Sequence, residues 1–314
     1  PISSTGAPTI NETWQEGLTT ASANPNLYPG YGVKISGGTT ANGFDQSNTN
    51  AAFIKTYNSS TNAFVPLPAS PGTNIPITSY AAYLLYIRGD RSIDLMQGLN
   101  SSITSTIIRT KGQPKTGNQS FTVNPSNWTI IGNPYPSPID FATLGKSNVA
   151  NTMYIWDPKQ AGAYGLGAYV TVSWNAGAGA YDVTSSTSPV SQYVPSGEAF
   201  FVRSANNSTT GTLTITETDK TVNGQDQVFR YNGLAQRLRT NLYLTPSGGQ
   251  ESLLDGVLTT FDDVNSNDVD DNDAIKMMNS GESISLSRFN NLLSIERRKI
   301  ASTVDTIFLN LAKM

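Results

Sequence analysis

The sequence has 314 residues, of which 37% are hydrophobic and only 14% are charged, so a core is possible beneath a largely uncharged surface. The formal net charge is −3, and no basic block of the kind that binds nucleic acid occurs. There is no Cys and no His, which excludes disulfides, thiolate ligands, Cys nucleophiles and His-based triads. No run of roughly 18 apolar residues is present, so no membrane span is predicted.

Strand-like segments follow one another along the chain, separated by clusters of Gly, Pro, Asn and Ser. The predicted strands are Ala52–Tyr57, Tyr83–Arg88, Ser105–Thr110, Trp128–Gly132, Met153–Trp156, Ala168–Trp174, Glu198–Ser204, Thr212–Thr218, Gln227–Tyr231, Arg237–Thr245, Leu253–Phe261, Ser283–Arg288, Leu292–Arg297 and Thr306–Leu311. This spacing predicts an all-β fold, with a jelly-roll-like β-sandwich followed by a second, smaller unit of β-sandwich type.

The polar turn "KTVNGQD" at 220–226 is the predicted boundary, giving domains 1–222 and 223–314. The second domain closes on "IFLNLAKM", an unfinished strand pattern. Either its sheet is small or further chain belongs to it. An incomplete sheet would leave an edge free to pair with another subunit's strand.

The segment "WTIIGNPYPSPIDF" (128–141) carries prolines at every second position after a strand-like run. Proline fixes φ and makes the preceding residue extended, so a stiff corner is predicted. The segment is either a docking strip or a structural crossover with Tyr135 and Phe141 packed inward. The tripeptide Arg88-Gly89-Asp90 similarly has two interpretations, an integrin ligand or a strand-end turn with local charge pairing.

The acidic segment "DDVNSNDVDDND" (262–273) is the metal-site prediction. Calcium prefers carboxylate, amide and carbonyl oxygens, although the Gly and closing Glu of an EF-hand are absent. The alternative is a solvated hairpin loop. The predicted ligands are Asp262, Asp263, Asn265, Asn267, Asp268, Asp270, Asp271 and Asp273. No other cofactor is expected.

Four aromatic residues, Tyr164, Tyr169, Trp174 and Tyr181, lie in the Gly- and Ala-rich segment 161–182. They predict either a platform that stacks on a polysaccharide or a long hairpin with aromatics at strand positions. No catalytic residues are assigned. The absence of His and Cys favours a non-enzymatic protein, and paired carboxylates are the remaining route to hydrolysis.

Eight segments occur in an order that resembles the C-proximal, β-rich region of large surface proteins exported by the bacterial type IX secretion system. They are "WQEG" (14–17), "NPNLYPGYGVKISGG" (24–38), "NGFDQS" (42–47), "LYIRGDRSI" (85–93), "WTIIGNPYPSPIDF" (128–141), "YIWDP" (154–158), "VPSGEAFFVRS" (194–204) and "DAIKMMNSGESISLSR" (273–288).

The resemblance implies export to the bacterial cell surface or the medium. It also implies that a β-type C-terminal sorting domain follows this region in the longer protein. It brings no active site with it. The expected function is a non-enzymatic surface module that is structural, adhesin-like or fibre-forming and associates with itself or with other surface proteins. The alternative is a carbohydrate-binding module of a secreted protein.

Overall fold

The computed structural model describes residues 1–3, 5–17, 32–96, 106–158, 160, 167–223, 236–245, 251–300 and 305–313. It is 39% strand and 5% helical, without any helix of seven or more residues in these ranges. The predicted all-β, sandwich-type fold is therefore confirmed. In the same ranges, no helix has the length and apolarity needed to cross a membrane.

The chain divides into two compact units. Unit 1 comprises residues 1–117 and 130–136, and unit 2 comprises residues 118–129 and 137–314. The predicted boundary at 222/223 lies inside unit 2. The predicted strand Gln227–Tyr231 lies outside the described residues.

Unit 1 contains an antiparallel sheet in the order β2–β1–β3, formed by β1 (Ile54–Asn58), β2 (Ala63–Pro66) and β3 (Tyr83–Leu85). Short 3-10 turns cover Thr40–Asn42, Gly72–Asn74 and Ile77–Ser79. The core of the unit consists of Ile10, Val33, Ile35, Phe44, Ile54 and Leu67, mostly contributed by segments outside the sheet.

A buried carboxylate organises the Arg-Gly-Asp segment of unit 1. Asp45 Oδ1 accepts hydrogen bonds from Arg91 Nε at 3.0 Å and Arg91 Nη2 at 2.8 Å. Its Oδ2 accepts from Gln15 Nε2 and from the Ile35 N–H, both at 2.9 Å. Asp90 is itself buried and accepts a bond from the Ser92 N–H. The residue after the segment, Arg91, is thus held by an ion pair with the distant Asp45, and the aspartate of the segment is not displayed to solvent.

The alternating prolines follow β5 (Thr129–Gly132). The Tyr135 ring is buried in unit 1, where its hydroxyl donates to the Gly117 carbonyl at 2.8 Å. The Phe141 ring is buried in unit 2, 5.7 Å from Phe200 in an edge-to-face contact. The predicted inward packing of both rings is confirmed, which favours the structural interpretation of this corner.

Unit 2 contains most of the strands. They are β4 (Gln119–Val123), β6 (Ile139–Asp140), β7 (Gly145–Ser147), β8 (Thr152–Asp157), β9 (Ala168–Asn175), β10 (Ala180–Val183), β11 (Tyr193–Val194), β12 (Ala199–Val202), β13 (Gly211–Ile215), β14 (Gln236–Leu244), β15 (Ser252–Phe261), β16 (Ala274–Ile275), β17 (Ser283–Arg288), β18 (Asn291–Arg298) and β19 (Phe308–Ala312).

The strands of unit 2 form several sheets. Strands β10, β9, β8 and β12 lie side by side in that order, and β4–β13–β7 and β11–β6 form smaller sheets. The last six strands form one sheet in the order β14–β15–β18–β17–β19, with β16 also paired to β18. Its pairs are antiparallel except β15 with β18, which is parallel.

The β8–β9 region and the last sheet are joined by polar contacts. Thr171 on β9 donates its hydroxyl to Ser294 Oγ on β18 at 3.0 Å. The Tyr154 hydroxyl donates to the Ile275 carbonyl at 2.8 Å, and the Tyr169 N–H donates to Asn279 Oδ1 at 2.7 Å. Because buried polar groups are costly unless paired, these contacts specify one arrangement of the two sheets.

A buried ion pair lies at the same junction. Arg297 Nη2 on β18 is 3.2 Å from Asp182 Oδ2 on β10, and both side chains are 2% exposed. Arg297 also donates to Ser173 Oγ and Ser173 O, at 3.3 and 3.2 Å. Asp182 accepts from Asn175 Nδ2 at 2.8 Å and lies 3.3 Å from Arg237 Nη2. Both charges are therefore compensated within the protein.

Replacing Asp182 with Ala should lower the free energy of unfolding by about 3–5 kcal/mol, because Arg297 would stay buried without its counter-charge. Urea unfolding followed by circular dichroism measures the change. Asp271→Ala removes the same charge from an exposed loop position and should cost less than about 0.5 kcal/mol. Equal stabilities for the two variants would contradict the role given to the pair.

Candidate functional site: an uncovered strand edge

The last sheet ends at β19, which pairs with β17 on one side. In the described part of the chain, no strand pairs with its other side. The outward N–H and C=O groups of β19 thus form an open edge, a surface to which another strand can add. The sequence pattern left two alternatives for this sheet, a small sheet or an incomplete one with an open edge.

The apolar residues of the sheet continue onto β19, but there they are no longer covered by other described residues. Leu286 on β17 is opposite Leu293 on one side and Leu309 on the other. Leu286 is 1% exposed, whereas Leu309 is 46% exposed. The next pair behaves alike, with Ile284 3% exposed and Leu311 66% exposed. The core pattern therefore extends one strand beyond the region that the described residues bury.

The other face of β19 is also partly apolar. Phe308 lies opposite Ser287, and its ring is exposed. Asn310 lies opposite Ser285, whose hydroxyl is 3.4 Å from Asn310 Nδ2. Both faces of the strand therefore offer side-chain contacts in addition to the free main-chain groups of its edge.

The opposite edge of the same sheet, β14, is protected by charge. Arg237 on β14 is paired with Asp182, and Arg239 donates to the Thr184 carbonyl. Natural proteins place inward-pointing charges on edge strands because such residues oppose pairing with a further strand. The segment 306–312 that contains β19 has no charged residue and no proline. Of these two edges, only β19 lacks the usual protection.

A set of charges fixes the approach to β19. Arg298 on β18 is 3.1 Å from Asp305 through Nη1 and donates to the Thr306 carbonyl. Ile307 packs against the apolar core of the sheet. Glu296 lies 3.2 Å from Arg288 Nε and 3.4 Å from Arg298 Nε. Burial nevertheless dominates and raises the pKa of Glu296 to about 7.

The acidic loop lies between β15 and β16, and its described carboxylates accept hydrogen bonds from nearby backbone. Asp262 Oδ1 accepts from the Val264 N–H, and Asp270 Oδ1 accepts from the Asn272 N–H. Asp273 Oδ2 accepts from the Asp270 N–H, and its Oδ1 accepts from the Arg297 N–H at 2.7 Å.

The other predicted calcium ligands are dispersed. Asn265 Nδ2 donates to the Arg298 carbonyl, and Asn267 Oδ1 accepts from the Lys299 N–H. Asp263, Asp268 and Asp271 are exposed. Across the described ranges, no three acidic side chains converge as a metal site would require. The arrangement resembles a solvated loop tied to β18 by its amides.

Three of the aromatic residues proposed as a sugar platform are described, and they pack within the protein. Tyr169 is buried, 4.8 Å from Trp156 in an edge-to-face contact. Trp174 and Tyr181 are half-buried and also meet edge-to-face, at 5.3 Å. Tyr164 lies outside the described residues. The three described rings therefore act as packing residues of the β8–β10 region.

One pair of carboxylates has the electrostatics of an acid–base site. Burial, with a smaller effect from the nearby charge of Asp157, raises the pKa of Glu198 to about 7. A carboxyl group that holds its proton near neutral pH is a requirement for general acids. Asp157 is buried and accepts a bond from Gln160 Nε2. Glu198 and Asp157 are therefore one place where the paired-carboxylate alternative of the sequence analysis can be examined.

The family model described as "Domain of unknown function (DUF8693)" matches residues 97–312, more than half of the chain. The chain therefore belongs to this family. No curated protein and no solved structure matched the chain. The matched region extends from before β4 to the last residue of β19, so the open edge belongs to the family domain.

Calcium at about 5 mM should leave the melting temperature unchanged within about 1 °C, because the loop does not present a converging set of carboxylates. Differential scanning calorimetry with calcium, magnesium or chelator makes the comparison. A ligand that binds only the native state raises the melting temperature. A rise of several degrees that is specific to calcium would show that the loop does bind the ion.

Stability should fall as the pH rises from 5 to 8. Glu296 titrates near 4.5 when unfolded and near 7 when folded, so the native state binds the extra proton in this interval. Its stabilising effect is complete below about 4.5 and is lost as the pH passes 7. Glu198 acts in the same direction.

Thermal melts of Glu296→Gln should therefore show a smaller decline over this pH range than the wild type. Glu282→Gln, which changes an exposed glutamate just before β17, is the matched control and should keep the full decline. A wild-type protein that is equally stable at pH 5 and pH 8 would contradict the assignment.

Proposed function

We propose that this chain is a non-enzymatic module of an exported bacterial surface protein, with a structural, adhesin or fibre-forming role. It associates with other protein through the edge of β19. The observation that carries this proposal is the open strand with exposed Phe308, Leu309 and Leu311. The resemblance to type IX-exported surface proteins supports the cellular location.

The physical reason is that β19 combines two binding surfaces. Its outer main-chain groups can extend the ladder, as in recognition by strand addition. Its leucines can complete an apolar face that Leu286 and Ile284 already begin on β17. Burying about 100 Å² of apolar surface contributes roughly 2.5 kcal/mol before the entropy of association is subtracted. Since the entropy of association costs at least as much as this apolar contribution, the ladder hydrogen bonds decide the balance and association through this edge should be weak.

The proposal of a non-enzymatic role is supported by chemistry as well. The chain has no His or Cys in its entire sequence. Asp157 on β8 is 4% exposed, whereas Glu198 in the turn between β11 and β12 is half-buried. A buried carboxylate such as that of Asp157 gives little access to a polymeric substrate.

Sedimentation velocity between about 10 μM and 1 mM should reveal concentration-dependent association of the wild-type protein. Leu309→Lys should abolish it, because an uncompensated charge opposes strand addition. Leu238→Lys is the matched control, since Leu238 is also 46% exposed but lies on β14. Loss of association in both variants would implicate both edges, and a monomer at every concentration would overturn association of the chain with itself.

Export is tested separately in the bacterium that produces the protein. Protease added to intact cells should degrade a surface-displayed module and leave a cytoplasmic marker untouched. Protection of the module until the cells are lysed would contradict the proposed location.

A further inference from the structure

We infer that the partner of β19 is the β19 strand of a second copy, paired antiparallel about a two-fold axis that passes beside Leu309. This inference rests on the proposed function, since it names the partner of the edge described above. It follows from symmetry, from the faces of the strand and from the charges that flank it.

Symmetry limits the registers. A two-fold axis perpendicular to the sheet is the operation that places two identical edges side by side and antiparallel, and it keeps each face on its own side. Residues directly opposite each other in an antiparallel pair project from the same face. An odd-numbered residue must therefore lie opposite an odd-numbered residue of the second copy. The registers that symmetry allows therefore differ from one another by steps of two residues in the pairing.

Charge selects one of these registers. Asp305 and Lys313 each lie four residues from Leu309, on opposite sides of it. With Leu309 at the axis, Asp305 of each copy lies opposite Lys313 of the other, which gives two opposite-charge pairs for each dimer. Lys313 is exposed and has no ion-pair partner among the described residues. The Asp305 carboxylate has acceptor positions beyond its contact with Arg298.

The apolar residues match in the same register. Ile307 lies opposite Leu311 of the second copy, and Leu309 lies opposite its own counterpart. A shift of one step in either direction places Lys313 opposite Ile307, or Asp305 opposite Leu311. Both shifts lose the charge pairs and put an ionised group beside an apolar one. The register about Leu309 is therefore the most favourable that symmetry allows.

The resulting contact joins two six-stranded sheets into one continuous sheet. It also places the exposed leucines of both copies side by side, which reduces the apolar surface left open at each edge. A short strand pair makes a small interface, so the contact is expected to be weak and to form only at high protein concentration. A two-fold contact closes on itself and gives a pair. A fibre would require a second contact elsewhere on the molecule.

Charge reversal tests the pairing. Asp305→Lys and Lys313→Asp should each weaken dimerisation about tenfold, because each creates two like-charge pairs per dimer. An equimolar mixture of the two variants should restore dimerisation, because one variant has two basic residues at these positions and the other has two acidic residues, so their heterodimer contains two opposite-charge pairs. The double variant exchanges the charges and should bind more tightly than either single variant, but less tightly than the wild type, because Asp305→Lys also removes the ion pair with Arg298. Sedimentation equilibrium measures all four samples.

Disulfide trapping tests the register independently. The chain has no Cys, so single cysteines can be placed along β19 without background. Leu309→Cys should form the covalent dimer fastest, because position 309 faces itself across the axis at a separation that a disulfide can bridge. Phe308→Cys, Asn310→Cys and Leu311→Cys should form it more slowly.

The outcomes separate the inference from the proposed function. A maximum of cross-linking away from 309, or a mixture and a double variant that both bind no better than the single variants, overturns the register while leaving association through β19 intact. A wild-type protein that is monomeric at 1 mM overturns the pairing of two copies. Surface display is measured by the protease experiment and does not depend on either result.

Discussion

The arrangement of unit 2 depends on the buried ion pair between Asp182 and Arg297. Moving two charges out of water costs several kcal/mol for each, so the pair is tolerated only where the remaining hydrogen-bonding positions are also satisfied. Here Ser173 accepts from both Nη atoms of Arg297 and Asn175 donates to Asp182, which satisfies most of those positions and leaves Arg297 Nε without a hydrogen bond in the described residues. Because a slip of one residue would turn Arg297 to the opposite face of β18, the pair fixes the register of the last sheet against β9.

A second buried ion pair, between Lys276 and Asp255, connects the interior of the sheet to the strands next to β19. Lys276 Nζ is 2.6 Å from Asp255 Oδ1, and Asp255 Oδ2 accepts from the Ile284 N–H at 2.9 Å. Burial lowers the pKa of Lys276, while the adjacent carboxylate of Asp255 opposes this effect. The pair thereby positions the start of β17. Since Ile284 lies opposite Leu311, the position of β19 follows from a charge pair in the interior.

Local sequence predicted the strands but not the contacts that arrange them. The prediction for Ser283–Arg288 coincides with β17, because its apolar alternation is clear. Residues 106–110 belong to the predicted strand Ser105–Thr110, but they form no strand. Their contacts include side-chain hydrogen bonds, such as the one that Trp14 Nε1 donates to the Thr110 hydroxyl. The partners Asp182 and Arg297 are 115 residues apart, and no spacing rule connects them. The pattern of the last strand is local as well, but it left open whether the sheet is small or incomplete.

The contrast between the two edges argues that the exposure of β19 has a purpose. Edge strands that do not bind a partner usually carry a charged residue, a proline or a β-bulge, each of which opposes pairing with a further strand. β14 has two arginines and a register shift between Leu242 and Tyr243. β19 has none of these, while acidic and basic residues stand symmetrically just outside it. The centre of this edge is uncharged, and its ends carry Asp305 and Lys313. It therefore favours a partner strand that places a basic residue opposite Asp305 and an acidic residue opposite Lys313. In an antiparallel pair, the strand that meets this condition is β19 itself.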